Sequence, residues 1–132
     1  MSHFTKVRTE IRDKACLKKA LKKLGYAFEE GENVSLVGYF EHDRTADIVI
    51  RKRNLPGRLG TYTDVGFSRN SDGTYELIID DYFPSASKEF ADAISQAYAY
   101  QVVVSNAALQ GYSVEEEQNM QDGSVRLVMT KW

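Results

Sequence analysis

The sequence predicts an α+β fold: a two-layer sandwich whose antiparallel sheet carries two main helices, residues 14–24 and 88–110, on one face. Two observations point there. Apolar residues recur at helical spacing near both ends of the chain, and the stretches between and after them alternate apolar with polar residues around Gly-containing turns. Helices that bracket a run of strands, rather than alternating with them, give segregated layers.

The length of 132 residues suits one domain, 1–132, with a real core. Apolar residues at 42% and charged residues at 27% describe an ordinary globule. A single cysteine, Cys16, excludes a disulfide framework and points to a reducing compartment. No window reaches membrane-spanning length, so a soluble protein is expected. The net charge of −2 hides an asymmetry: residues 1–60 hold 13 Lys/Arg against 8 Asp/Glu, and residues 61–132 hold 4 against 11. Two solvated faces are the ordinary account of this, and alignment of a charged partner is the other.

Phe4–Ile11 alternates and reads as a first strand. Asp13 caps a helix with Cys16 or Leu17, Ala20, Leu21 and Leu24 on its core face, four lysines (Lys18, Lys19, Lys22, Lys23) outside, and Gly25 at its end. Tyr26–Glu30 and Val34–Phe40 read as strands about a turn at Gly31–Asn33, and Ala46–Lys52 as another. Pro56, Gly57 and Gly60 mark a loop. Tyr62–Arg69 and Thr74–Asp80 form a hairpin about Asp72-Gly73; a two-residue turn sets Arg69 opposite Glu76.

The long helix follows. Pro84 stops what precedes it, Ser87 is the expected N-cap, Glu89 suits the helix start, and Gly111 supplies the left-handed end. One stripe reads Phe90, Ile94, Ala97, Tyr98, Val102, Leu109; a second reads Tyr100, Val103, Val104, Ala107, Ala108. A helix apolar on two faces is largely buried or shares one face with a partner. A last hairpin turns at Asp122-Gly123, with Val114 opposite Met129–Lys131, with Tyr112, Val125, Leu127 and Met129 on one face, and with Glu115, Glu117 and Arg126 in water. Helix, Gly-Tyr and strand recur at both ends (Leu17–Glu30 and Val104–Glu116), as do the Asp-Gly turns. A weak internal duplication is one account of this; shared cap and turn chemistry is the other.

Catalytic signatures are not evident, so no catalytic residue is assigned and an enzyme is disfavoured. His3, Cys16, His42 and Asp43 lack ligand spacing, and neither metal nor organic cofactor is expected. Cys16 reads as a packed thiol rather than a nucleophile. Asp80-Asp81 reads as a helix-entry loop, although carboxylates beside Tyr82-Phe83 could do acid–base work. Arg51, Lys52, Arg53 and Arg58 are a weak anion-contact patch; the acidic chain as a whole disfavours nucleic acid. Tyr98, Tyr100, Val103, Val104 and Ala107 are the candidate partner-binding residues, because one sheet face cannot cover both helix stripes.

Several stretches are familiar together. Leu17-Lys-Lys-Ala-Leu-Lys-Lys-Leu-Gly-Tyr26, Asp64-Val-Gly-Phe67, Ala97-Tyr-Ala-Tyr-Gln-Val-Val-Val104, Gln110-Gly-Tyr-Ser-Val-Glu-Glu-Glu-Gln118 and Gln121-Asp-Gly-Ser-Val-Arg-Leu-Val128 resemble the uncharacterised chloroplast reading frame thirty-five family, across the whole chain with gaps in the middle. That resemblance implies a protein of cyanobacterial cytosol or plastid stroma type, with related bacterial versions and no accepted activity. It also implies an AAA-type ATPase as a candidate partner. The expected role is therefore a non-catalytic adaptor or regulatory protein acting by protein–protein contact or self-association. The alternative is a small enzyme or ligand carrier with a pocket between helix 88–110 and the sheet, near Asp80, Asp81 and Tyr98.

Overall fold

The computed structural model describes residues 4–38 and 44–131. Five strands, β1 (Phe4–Arg8), β2 (Glu29–Ser35), β3 (Thr45–Ile50), β4 (Val65–Arg69) and β5 (Tyr75–Asp80), form an antiparallel sheet in the order β1-β5-β4-β3-β2. Two helices, α1 (Lys14–Lys23) and α2 (Pro84–Leu109), pack on one face, and β6 (Tyr112–Asn119) pairs with β7 (Val125–Lys131) as a separate hairpin. The α+β class follows from this layering.

The core follows from side-chain alternation. Leu77 and Ile79 of β5, Phe67 of β4, and Ile48 and Ile50 of β3 face the helices, meeting Leu17 and Leu21 of α1 and Phe90 and Ile94 of α2. On the reverse face, Val49 and Ile78 pack with Phe4, Leu36 and Ala46. Gly66 lies on that reverse face because a Cβ there would stand 2.7 Å from the Ala46 Cβ.

The start of α1 is tied to α2 through Tyr98. The Tyr98 hydroxyl accepts hydrogen bonds from the Arg12 and Asp13 amides, at 3.1 and 3.0 Å, while the Asp13 carboxylate caps α1 by accepting from the Cys16 amide. Tyr26, held against Phe90 with ring centroids 5.5 Å apart, closes the other end of the interface. Its burial pushes the phenol pKa up.

Several expectations are corrected. Pro84 starts α2 rather than stopping the preceding segment: Phe83 is the N-cap residue, and Pro at the first helical position forgoes an amide that had no helical partner. The Ser87 hydroxyl donates to the Asp80 carbonyl at 3.1 Å instead of capping. Leu24 and Leu109, assigned to core stripes, are 37% and 87% exposed; each stands at the C-terminal end of its helix, Leu24 bordering an open hollow beside Ala93 and Ala97 of α2. Residues of both 26–30 and 34–40 join in a single strand, β2, which is broken by an irregularity between Glu30 and Val34 where Asn33 takes a positive φ of 54°; Phe40 lies outside the described residues.

Both Asp-Gly turns are longer than two residues. The Asn70 amide donates to the Thr74 carbonyl and the Gly73 amide to the Asn70 carbonyl, leaving a three-residue loop with only Gly73 left-handed. Arg69 therefore stands opposite Tyr75, and Glu76 opposite Ser68. Met120, Gly123 and Ser124 repeat the pattern. The likeness between the two ends of the chain thus extends to matched caps and turns, Gly25 and Gly111 both having φ of 85°.

Candidate interaction surface

The sequence of α2 changes its surroundings along its length. Phe90 and Ile94, in its first half, are buried against the sheet, while from Ala99 onward every residue is half-buried or exposed. The sheet ends before the helix does. At about 1.5 Å per residue, 26 residues make a rod of about 39 Å, longer than the six-residue strands beneath it at about 3.4 Å per residue. The β6–β7 hairpin is what meets the projecting half.

Its fit depends on one extra residue. Val114 pairs with Met129, as expected, but the register then slips, so Glu116 pairs with Val128 and Glu117 with Leu127. An inserted residue reverses the facing of everything beyond it. Glu117, expected in water, therefore faces α2 alongside Leu127. There its carboxylate accepts from the Tyr100 hydroxyl at 3.0 Å and stands 3.7 Å from Lys23 Nζ. The same ammonium lies 3.3 Å from the centre of the Tyr100 ring, a cation–π contact that covers the ring face. Gln96 holds the hairpin tip by donating to the Gly123 carbonyl at 2.6 Å.

These contacts fasten β6, next to α1, and leave β7 outermost. Between β7 and α2 runs an open groove of about 430 Å³ lined by Ala99, Tyr100, Val103, Val125 and Leu127, with Gln96 and Ser124 at one end. Val103 is 50% exposed within it. Of the candidate partner-binding residues, Tyr100 and Val103 line this groove, Val104 and Ala107 are half-buried on the same half of α2, and Tyr98 is turned to α1 with its hydroxyl bound to two amides.

The other sites suggested by the sequence are placed differently. The hollow at Asp80 is lined by Leu59, Tyr62, Thr63, Tyr82 and Phe83 and holds about 10 Å³, room for one water at most. Tyr98 lies fourteen positions along α2 from Pro84, about 21 Å away, so Asp80 and Tyr98 share no pocket. Cys16 is buried with its sulfur 3.7 Å from the Ser105 hydroxyl. His3, His42 and Asp43 lie outside the described residues, and among the described residues no three His, Cys, Asp or Glu gather as a metal cluster.

The basic patch divides. Arg51 is bound to the Glu29 carboxylate, donates to the Ser35 carbonyl at 2.7 Å and donates to Asp64 at 2.8 Å. Its hydrogen bonds with Glu29 and then Asp64 push the guanidinium pKa further up, and Glu29 is held below the usual carboxylate range by the same bond. Lys52, Arg53 and Arg58 remain exposed on the 3-10 turns Lys52–Asn54 and Gly57–Gly60. Asp64 is the residue sequence reasoning missed: 2% exposed, it accepts from the Val37 amide, the Lys52 amide and Arg51, joining three segments of chain. An Asp immediately before the apolar run Val65–Phe67 was the available signal.

Comparison with known proteins agrees with the resemblance in sequence. The model of the family "Protein of unknown function (DUF1257)" matches residues 20–128. The chain is 32% identical to "Uncharacterized protein ycf35" of Cyanophora paradoxa and 33% identical to that of Pyropia yezoensis, in both cases over all of this chain and 98% of the relative. The ycf35 protein of Guillardia theta is 30% identical over the same shares. No solved structure matches.

Proposed function

This chain belongs to the DUF1257 family of proteins of unknown function, and we propose that it is a non-catalytic adaptor that works by binding another protein through the outer half of α2 and the β6–β7 hairpin. One observation carries the reading: the 430 Å³ groove between α2 and β7 is walled by aliphatic and aromatic side chains and is open to solvent, next to a half-exposed valine. Groups that only stabilise a monomer are normally covered, and a contiguous open apolar strip is the usual mark of an interface. Polar groups flank it: Gln96 and Ser124 stand at one end, and across Tyr100, in the neighbouring hollow, Lys23, Tyr100 and Glu117 satisfy one another.

The catalytic alternative is less well supported, because the carboxylate it needs borders a hollow too small for a substrate. A plastid-stroma or cyanobacterial cytosol setting fits the relatives' plastid type, and no helix is long and apolar enough to cross a membrane. The AAA-type ATPase implied by the resemblance is the first partner to test. Titration of that purified ATPase with the wild-type chain and with Val103→Asp tests the reading. A tenfold or greater loss of affinity, worth about 1.4 kcal/mol, is expected from a charge placed in a desolvated contact. Equal binding by both proteins would remove the groove from the interface.

A further inference from the structure

The outer edge of β7 specifies what lies against it. Among the described residues β7 pairs only with β6, so its second edge presents unpaired main-chain groups. Which residues present them follows from the ladder. The Met120 amide donates to the Ser124 carbonyl, so that pair is hydrogen-bonded, and bonded pairs alternate along an antiparallel ribbon. The amides and carbonyls of Arg126, Val128 and Thr130 then point to β6, while those of Val125, Leu127, Met129 and Lys131 point outward. The outward row contains no proline, and the strand reads Val-Arg-Leu-Val-Met-Thr-Lys, with Leu127, Val128 and Met129 as an unbroken apolar run.

We infer that β7 pairs antiparallel with β7 of a second copy of this chain, about a two-fold axis at Val128, so that two hairpins make one four-stranded sheet. This inference rests on the protein-binding reading above and names the occupant of the open edge of β7, beside the groove. A dyad at Val128 uses the whole strand: Val128 faces its own copy, Leu127 faces Met129, Arg126 faces Thr130, and Val125 faces Lys131. Outward-pointing residues meet outward-pointing residues, so the bonded positions coincide. No like charges stand opposite one another.

The other edge would fail on charge. A β6–β6 pairing brings Glu115, Glu116 and Glu117 of one copy against the same run of the other, and β6 is already tied to α1 through Lys23. A β7–β6 pairing is head-to-tail and has no reason to close. Shape agrees as well. Four strands at about 4.8 Å separation are about 14 Å across, enough for two α2 helices side by side on one face. The hairpin gains most. Two strands alone are marginal in water, whereas four with a covered face are not.

Cysteine cross-linking with oxidised glutathione, read on the full-length chain beside its mass by sedimentation, tests the geometry. Across an unbonded antiparallel pair the Cα atoms stand about 4.5 Å apart, inside the disulfide range, so Val128→Cys is expected to give a cross-linked dimer. Arg126→Cys and Thr130→Cys lie two residues from the axis, so each residue is about 13 Å from its own copy and should cross-link roughly tenfold less on its own. Mixed together, these two variants should form the heterodisulfide. Wild-type mass should approach twice 15.0 kDa as concentration rises. A monomer at every concentration, or equal cross-linking at 126 and 128, overturns the inference. A monomer whose affinity for the ATPase still falls with Val103→Asp overturns the dimer alone and keeps the adaptor reading.

Discussion

Replacing Asp64 with Ala should cost more stability than any other single carboxylate in the described chain, because three donors converge on it. The Val37 amide lies 2.9 Å from one oxygen, Arg51 Nη1 2.8 Å from the same oxygen, and the Lys52 amide 2.8 Å from the other. Each stranded, partly buried amide costs about 1 kcal/mol at the lower end of the range, and the lost charged bond about 2 kcal/mol. Arg51 itself is not orphaned, since Glu29 and the Ser35 carbonyl still hold it. A loss of about 4 kcal/mol follows, a large share of the roughly 5–15 kcal/mol that keeps a domain folded. With a urea slope of about 2 kcal/mol/M, the midpoint should fall by about 2 M at unchanged slope. Circular dichroism against urea reads this directly. Glu29→Ala is the control: Glu29 is at the exposed end of the same network, and its loss should leave the midpoint close to wild type. A midpoint for Asp64→Ala within about 0.5 M of wild type would refute the claim that this carboxylate pins the three segments.

Further outcomes follow from the same contacts. Gly66→Ala drives a Cβ to 2.7 Å from the Ala46 Cβ and 3.1 Å from Leu36, so it should destabilise by about 1–3 kcal/mol in the same urea assay, with Ala46→Gly restoring part of the loss. Tyr98→Phe leaves the Arg12 and Asp13 amides to water and should lower stability by about 1 kcal/mol, with faster hydrogen exchange at the start of α1 as its signature. Glu30 is held below its ordinary range by its bonds to Lys14 and then Lys18, and Glu29 by its bond to Arg51. Groups with folded pKa values depressed in this way contribute fully above the unfolded value of about 4.3, and that contribution is lost as pH falls through the lower folded values. An acid titration should therefore show stability declining below about pH 4.3, and less steeply in Glu29→Gln/Glu30→Gln.

Periodicity and caps made most of the fold legible. The α1 helix with Leu17, Ala20 and Leu21 on its core face, its Asp13 cap, the strand runs of β3, β4 and β5, and the left-handed glycines after both helices are all short-range consequences of residue type. What escaped was set by single residues whose effect depends on a partner element. The slip after Val114 that turns Glu117 toward Tyr100 has no marker in Glu115-Glu116-Glu117, because three identical residues fit either register. Pro84 ends or begins a helix with equal local logic, and the hydrogen bond from Ser87 to the Asp80 carbonyl fixes which. The loop after Asn70 kept its Asp-Gly pair yet took three residues, shifting Arg69 onto Tyr75. At the candidate surface, the two helical stripes announced an excess of apolar face, and the structure divides them: Tyr98 is given to α1, while Tyr100 and Val103 are given to the groove. Asp64 escaped because its three donors lie far from it in sequence.

Whether the outer half of α2 is contact surface or core is tested most directly by urea unfolding of Val103→Asp beside Ile94→Asp. Ile94 is 1% exposed and packs in the central cluster, so a carboxylate there should abolish cooperative folding. Val103 is 50% exposed, and the area it buries is worth about 1 kcal/mol. The account predicts a folded Val103→Asp with a midpoint within about 0.5 M of wild type that no longer associates. If Val103→Asp unfolds as Ile94→Asp does, the residue belongs to the core and the proposed interface is wrong.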